Sequence, residues 1–392
     1  MSKAKSYNYQ MSILSVIAIS FVVFGHFNFP QIDSQAVGTI FGWFPYYSFH
    51  LPLFLFISGY FFRDFSEEAG FFRSFGKFLL KKIRTLIIPF YIINGIFLLS
   101  GTFFSGIGIT YLHPFKLQEW LVYPWTKLYI ITFSVPTWYM IALFVAEIYF
   151  VFIRQGMKLV IRNEKAREIA ILAVTLGLGI LAISLERNIH VPETLRVYLR
   201  SVVMLFFIQT GVMYRKYLEK ADRLPSIPYI FLILLIQFLI IVLSDNGSLS
   251  PGLYGLLDFG PAGYDYFLAG ITGVALWLRI SRILAAGTGG SRFITFVGNN
   301  TKYIMAFHVF GFFLLNSIFC ALKNNGAGLT FLKDFSIRIF RSYLYYVYRE
   351  NPRLLLLYYL AGMGFSLLAA WIISIVKRQI KKTSAGMKSK TC

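Results

Sequence analysis

The sequence predicts an all-α integral membrane protein, a bundle of about ten transmembrane helices. Of its 392 residues 57% are hydrophobic and 14% are charged, which leaves too few charged side chains to cover the surface of a soluble protein. The apolar residues gather in runs of about 20, the length at which a helix crosses ~30 Å of hydrocarbon. Lys and Arg fall between these runs, so we interpret the polar segments as loops.

The apolar runs follow one another from the N-terminus almost to the C-terminus. They cover residues 11–30, 46–62, 86–104, 137–153, 168–185, 197–214, 227–244, 264–280, 293–319 and 354–376. The first run follows two lysines, as a secretion signal does, but it is long and has no small-residue cleavage site, so we interpret it as an uncleaved helix. We expect residues 1–380 to form a single transmembrane domain and residues 381–392 to form a disordered cytoplasmic tail.

The distribution of positive charge predicts the orientation. A net charge of +21 would indicate nucleic acid as the partner of a soluble protein. Here the alternate loops that include both termini hold more than twice as many Lys and Arg as the other loops. The positive-inside rule then places both termini in the cytoplasm and explains the charge. We therefore expect membrane lipid, and no nucleic acid, as a partner.

Two loops have helical amphipathic patterns. The stretch FFRSFGKFLLKKIR, residues 71–84, places its Phe and Leu on one face and its basic residues around the other. This pattern predicts an interfacial helix on the inner side of the membrane. The stretch LKDFSIRIFRSYLYYVYRE, residues 332–350, has the same pattern on the outer side. We expect it to form a helix that lies on the outer leaflet or covers a cavity.

Three histidines fall inside or at the edge of apolar runs. A polar ring in hydrocarbon is costly, so it suggests a functional site. His26 and His308 each lie about 15 residues, or about 22 Å of helix, from the inner end of their runs, and His50 begins the second run from the outer side. An imidazole exchanges a proton near neutral pH, so we predict acid–base chemistry at this depth. The alternatives are backbone hydrogen bonds and a metal site, the latter disfavoured because no carboxylate accompanies these histidines.

Five stretches carry a resemblance to a known family. Together they resemble the acyltransferase family 3 membrane proteins, in particular the branch similar to fucose 4-O-acetylases and polysaccharide O-acetyltransferases. The resemblance extends from residue 11 to about residue 376. The stretches are FVVFGHFNF at 21–29, SFHLPLFLFISGYFF at 48–62, KKIRTLIIPF at 81–90, VPTWYMIALFVAEIYF at 135–150 and FVGNNTKYIMAFHVF at 296–310.

This resemblance implies a reaction and a place for it. Family members move an acyl group, usually acetyl, from cytoplasmic acyl-coenzyme A to a sugar hydroxyl at the outer face of the bacterial cell membrane. The acceptor would be a glycan or a lipid-linked sugar, and no cofactor or metal would be permanently bound. The family's first-helix histidine corresponds to His26. Many members have an Arg eleven residues earlier, and this chain has Ser15 there.

The roles of His26, His308 and His50 follow from the chemistry of such a transfer. A sugar hydroxyl is a poor nucleophile, so His26 would remove its proton during the attack or would first accept the acyl group itself. Both routes remain open from the sequence. His308 or His50 would orient His26 or bind the acceptor. Trp138 and Asn300 are candidates to stabilise the oxyanion.

Basic residues on each side of the membrane predict binding surfaces. The family's basic residues before the third helix correspond to Lys81, Lys82 and Arg84, which with the deeper Lys302 would attract the phosphates of coenzyme A. Positive-inside topology and anionic lipid are the alternative explanation for the first three.

On the outer side, Arg196 and Arg200 lie four residues apart on one helical face and could receive an acidic glycan or form a solvated surface. The competing function is a transporter or flippase for a lipid-linked sugar, in which the histidines relay protons. It is disfavoured because repeated halves and broken helices are not apparent.

Overall fold

The computed structural model describes most of the chain, and the fold is helical. The described residues are 8–27, 39–40, 44–45, 49–65, 70–128, 133–189, 191–243, 265–326, 329–344, 346–348 and 352–388. Two strands of two residues each, β1 (Thr39–Ile40) and β2 (Phe44–Pro45), pair in antiparallel fashion between the first two helices.

Ten segments among the described residues correspond to the ten predicted runs. Nine are long and apolar enough to cross a membrane, and the tenth, α2, is a shorter apolar helix. The prediction of an all-α membrane protein is confirmed. The first seven helices are α1 (Tyr9–Phe27), α2 (His50–Phe61), α3 (Phe71–Lys82), α4 (Ile88–Gly106), α5 (Leu117–Leu121), α6 (Tyr123–Thr126) and α7 (Trp138–Val160). The remaining helices are α8 (Glu164–Asn188), α9 (Glu193–Met213), α10 (Ser226–Leu243), α11 (Asp265–Thr288), α12 (Arg292–Asn299), α13 (Thr301–Asn324), α14 (Ile337–Ser342) and α15 (Pro352–Lys388).

The outer surface of the bundle is apolar. On α10 the side chains of Phe231, Phe238 and Leu243 are exposed, and Gln237 is the one buried residue of this helix. A helix that exposes apolar side chains along its length needs hydrocarbon around it, because water would make this surface unfavourable. Below, the inner end of the bundle is the end at which α1 begins, which the charge bias predicts to face the cytoplasm.

Close helix crossings hold the centre of the bundle together. Gly59 on α2 and Gly211 on α9 face each other so closely that no side chain fits at either position. A Cβ atom at Gly59 would lie 1.8 Å from the carbonyl oxygen of Ile208, and one at Gly211 would lie 2.1 Å from that of Phe56. Small residues let helix backbones approach in this way inside a membrane.

We expect Gly59→Ala to lower the thermal stability of the purified protein strongly, because the new methyl group must push α2 away from α9. The measurement is the thermal unfolding midpoint in detergent, with Gly177→Ala in α8 as the matched control. A Cβ at Gly177 has no neighbour within 4 Å, and Ala is the better helix former. Equal midpoints for the two variants would show that this crossing tolerates separation.

The structure corrects four details of the predicted helices. The interfacial helix predicted at 71–84 runs through a π-helical turn, Ile83–Ile87, into α4 without a loop. The ninth predicted run is interrupted at Asn300, which separates α12 from α13. The predicted tail is helical as far as Lys388, and residues 389–392 lie outside the described residues. These first three corrections share a cause, since apolar and basic patterns do not specify where a helix bends or ends.

The fourth correction concerns the outer stretch 332–350. Among its described residues, the α-helical part is Ile337–Ser342, which follows a 3₁₀ turn at Thr330–Leu332. Phe335 and Tyr346 are buried against the bundle instead of lying on a membrane surface. Asn316 of α13 donates a hydrogen bond of 2.8 Å to the carbonyl oxygen of Tyr346, which holds the segment across the outer end of α13.

Candidate functional site

Two of the three intramembrane histidines are in contact. The rings of His26, in the last turn of α1, and His308, in the second turn of α13, have centroids 4.8 Å apart and planes inclined by 61°. The depth estimate from the sequence therefore led to a real neighbour pair. His50 begins α2 and is buried at 5% exposure.

Backbone hydrogen bonds define which nitrogen of each ring is basic. The Nδ1 atom of His26 lies 2.7 Å from the carbonyl oxygen of Val22, and that of His308 lies 2.8 Å from that of Ile304. A carbonyl can only accept, so Nδ1 carries the proton in both neutral rings and Nε2 is the basic nitrogen. The backbone-bond alternative of the sequence analysis is thus realised at Nδ1 of both rings.

The environments of the two rings differ. His308 is fully buried, and its Nε2 has no hydrogen-bond partner among the described residues. His26 is half-buried. A buried polar nitrogen without a partner is unfavourable unless something else compensates it. His26 is therefore the more exposed ring of the pair.

A cavity of about 220 Å³ lies on the inner side of this pair. Five helical segments contribute to its wall, which contains Ile19, Phe54, Ile57, Ser58, Leu86, Tyr139, Met140, Leu143, Thr301, Lys302 and Met305. Ile19 precedes His26 by two helical turns, and Met305 precedes His308 by one. Residues at such spacings share a helix face, so the cavity points along α1 and α13 toward the histidine pair.

Lys302 is the one charged side chain among the described residues that line this cavity. It is half-buried in the first turn of α13. Its Nζ atom lies 5.2 Å from the centroid of the Tyr303 ring, a distance typical of a cation–π contact. Lys302 thus stands where an anionic ligand entering from the inner end would pass.

The three basic residues before α4 are not equivalent. Lys81 and Arg84 are exposed, whereas Lys82 turns inward and forms an ion pair with Glu147 of α7. Ser58 of α2 donates a second hydrogen bond, 2.6 Å long, to the same carboxylate oxygen. Lys82 is therefore already neutralised by the protein, and Ser58 links two helices rather than bonding to its own backbone.

Glu147 is a residue that the sequence analysis missed. Its side chain is 3% exposed, and its Oε2 atom is buried without a hydrogen-bond partner among the described residues. Leu143 and Leu86, which line the cavity, lie one turn from Glu147 and Lys82 respectively. The ion pair thus sits at the inner edge of the cavity. A single acidic residue within VPTWYMIALFVAEIYF was the available signal, since a carboxylate inside a span needs a partner.

A second buried ionic cluster, also missed, lies at the inner end. Arg154 of α7 binds Glu168 of α8 and Asp64 after α2 at 2.7 Å each, and Lys216 binds the same two carboxylates. Burial alone would raise the pKa of Asp64, but Arg154 and Lys216 hold that pKa below its usual range. Each charge has an opposite partner, so we assign this cluster to joining the helices.

The outer-end candidates are more buried than the sequence suggested. Arg200 is only 1% exposed, and its guanidinium carbon lies 4.6 Å from the centroid of the Trp138 ring. Arg196 lies 2.8 Å from a carboxylate oxygen of the buried Glu186. The idea of a solvated arginine face is wrong, because both side chains turn toward other helices.

Asn300 has a conformational role in the structure. It occupies the break between α12 and α13, and its side-chain amide donates a hydrogen bond of 2.8 Å to the carbonyl oxygen of Phe296. It lies near Thr301 at the inner part of the cavity rather than beside the histidines. Within the described ranges, no group of three His, Cys, Asp or Glu residues is placed to hold a metal ion.

Comparison with known proteins identifies the family. Residues 8–375 match the acyltransferase domain that defines acyltransferase family 3. No curated protein and no solved structure matches the chain significantly. The family match includes α1 to α14 and the first part of α15, and so the helices that carry His26, His308 and Lys302. The chain therefore belongs to acyltransferase family 3 and is a multi-pass membrane acyltransferase.

Proposed function

We propose that this protein moves an acyl group, acetyl in the first instance, from cytoplasmic acyl-coenzyme A to a hydroxyl of a surface or exported glycan. The observation that carries the proposal is the contact between His26 and His308, which lie two turns and one turn beyond Ile19 and Met305 in the wall of a cavity that also includes Lys302. The carbohydrate acceptor and the bacterial cell membrane rest on the resemblance to polysaccharide O-acetyltransferases.

The distance along α13 between Lys302 and His308 suits a thioester on a long arm. Lys302 and His308 are six residues apart on one helix, or about 9 Å at 1.5 Å per residue. The pantetheine arm of coenzyme A spans roughly 15–20 Å, the length of about ten or more helical residues. A donor whose phosphates stay near Lys302 could therefore bring its thioester to His26 without entering the membrane completely.

The histidine pair can perform the proton transfers of this reaction. Nε2 of His26 takes the proton of the acceptor hydroxyl while the hydroxyl oxygen attacks the thioester carbon. The carbon–sulfur bond then breaks, and the imidazolium returns the proton to the leaving thiolate. The Nδ1 bond to Val22 keeps the ring in the required orientation, and His308 supports it from behind.

The acceptor would approach from the outer end. His26 is the second-last residue of α1, close to that end of the bundle. A groove of about 520 Å³ opens at this end between the loop after α4 and α14, and its wall includes Arg338 and Arg341. These arginines are exposed and, unlike Arg196 and Arg200, accessible to an acidic glycan.

The experiment uses sealed vesicles in which the orientation of the protein is known. We expect acetyl-coenzyme A supplied only at the cytoplasmic face to acetylate a polysaccharide present only at the outer face. The readout is radiolabelled acetyl ester in the outer polysaccharide fraction, with vesicles containing a His26→Ala variant as the control.

Two outcomes would contradict the proposal. Transfer that requires both substrates on the same side would exclude the two-sided arrangement. Movement of a lipid-linked sugar across the membrane without ester formation would favour the transporter, for which the helix break at Asn300 would then be relevant.

A further inference from the structure

Two lysines converge on one tyrosine at the inner end of the bundle. Lys377 of α15 donates a hydrogen bond to the hydroxyl oxygen of Tyr303 and lies 5.1 Å from the centroid of its ring. Lys302 lies 5.2 Å from the same centroid. Since each ammonium is about 5 Å from one point, the two are within about 10 Å of each other, where salt does not fully screen their repulsion.

The two lysines differ from four other cations of the bundle. Lys82, Arg154, Lys216 and Arg279 each form an ion pair with an Asp or Glu. Among the described residues, no carboxylate lies within ion-pair distance of Lys302 or Lys377. Two cations held close together without an internal counter-ion repel each other, and a bound anion would relieve that repulsion.

The helix break places one of these lysines beside the cavity. Because α13 starts at Thr301, its first turn contains Lys302 and Tyr303. Thr301 and Lys302 both line the cavity, while Lys377 is exposed at the inner surface. The cations therefore extend from the surface to the cavity.

We infer that Lys302, Lys377 and Tyr303 form a binding site for a phosphate group. This inference rests on the proposed function, and it assigns the diphosphate of acyl-coenzyme A to the site. Lys377 and Lys302 bind the phosphate oxygens, and Tyr303 keeps the Lys377 side chain turned back toward α13. The pantetheine arm then runs along the cavity from Lys302 toward His308.

The test measures equilibrium binding of coenzyme A and of pantetheine, which lacks the phosphates, to the detergent-purified protein. We expect Lys377→Gln and Lys302→Gln each to weaken binding of coenzyme A about tenfold. The remaining affinity for coenzyme A should depend less on salt concentration than that of the unmodified protein, and binding of pantetheine should be unchanged. Lys377→Arg should retain most of the affinity. The matched control is Arg378→Gln, which removes an exposed charge one residue away and should change the affinity less than twofold if the site is specific.

The phosphate group of an anionic lipid could bind the same residues. A second measurement therefore distinguishes lipid from coenzyme A as the ligand. Thermal stability is compared in nanodiscs with and without phosphatidylglycerol. Unchanged affinity for coenzyme A in both Gln variants would overturn the donor assignment, and a simultaneous loss of stabilisation by phosphatidylglycerol would assign the site to lipid. Normal binding of coenzyme A by the unmodified protein without transfer to any polysaccharide would refute the proposed function and leave the phosphate site standing.

Discussion

Replacing His26 with Ala should lower the rate of acyl transfer by about 10²- to 10⁴-fold, the contribution typical of a positioned general base. The loss follows because Nε2 is the basic nitrogen of His26, since Nδ1 carries the proton that it donates to the carbonyl oxygen of Val22. The measurement is transfer from radiolabelled acetyl-coenzyme A at saturating donor, in parallel with binding of coenzyme A. We expect binding to persist, since His26 lies beyond the phosphate-binding region.

The matched control is His113→Ala. His113 is a histidine outside the helix bundle that contacts Glu119, so its loss removes an imidazole without touching the site. Wild-type turnover in the His26 variant would exclude the proposed mechanism. An acetylated histidine peptide, trapped by rapid quenching of unmodified protein, would instead indicate that His26 accepts the acyl group before transfer.

His308 should act through His26. We expect His308→Ala to lose at least about tenfold in rate and to shift the pH dependence of kcat/KM, because the neighbouring ring then has a different environment. A lower rate with an unchanged pH profile would indicate that His308 serves packing alone.

Breaking the Lys82–Glu147 ion pair should have the second large effect, on stability. In Lys82→Gln the Glu147 carboxylate keeps Ser58 as a partner but loses its cation, and removal of one member of a buried pair costs about 3–5 kcal/mol. Because Lys82 is 22% exposed, we expect the lower part of this range. The measurement is the thermal unfolding midpoint of ligand-free protein in detergent.

A double-variant comparison separates this effect from the loss of a surface charge. We expect Lys82→Gln combined with Glu147→Gln to recover most of the lost stability, because the neutral amide at position 147 no longer leaves a buried charge without a cation. Lys81→Gln, at the exposed neighbouring position, should leave the midpoint nearly unchanged. Equal midpoints for Lys81→Gln and Lys82→Gln would mean that the ion pair does not contribute to stability.

This pair also changes how the basic residues before α4 should be tested for donor binding. Lys82 forms an ion pair with Glu147. Its replacement therefore alters helix packing, and this would obscure any effect on the binding of coenzyme A. The exposed Lys81 and Arg84 remain candidates to attract phosphates, and variants at these two positions are the informative ones.

Composition and the length of the apolar runs were sufficient to determine the fold class. Each run corresponds to a helical segment, and counting residues placed His26 and His308 at depths from which their rings can meet. The same counting could not tell that the rings of His26 and His308 are in contact. Depth along a helix follows from sequence position, whereas contact also requires the rotation of each helix about its axis.

Only the tertiary structure decided which side chains face inward. In a soluble helix the polar face marks the solvent side, but hydrocarbon and protein interior are both apolar, so a membrane helix has no such mark. Lys81 and Lys82 look alike in the sequence, yet only Lys82 reaches Glu147. Lys302 and Lys377 lie 75 positions apart and meet only because α13 and α15 pack together around Tyr303. The sequence determined which residue types the site contains and how deep they lie in the membrane. Helix packing determined which side chains contact one another, because these contacts join segments that are far apart in the sequence.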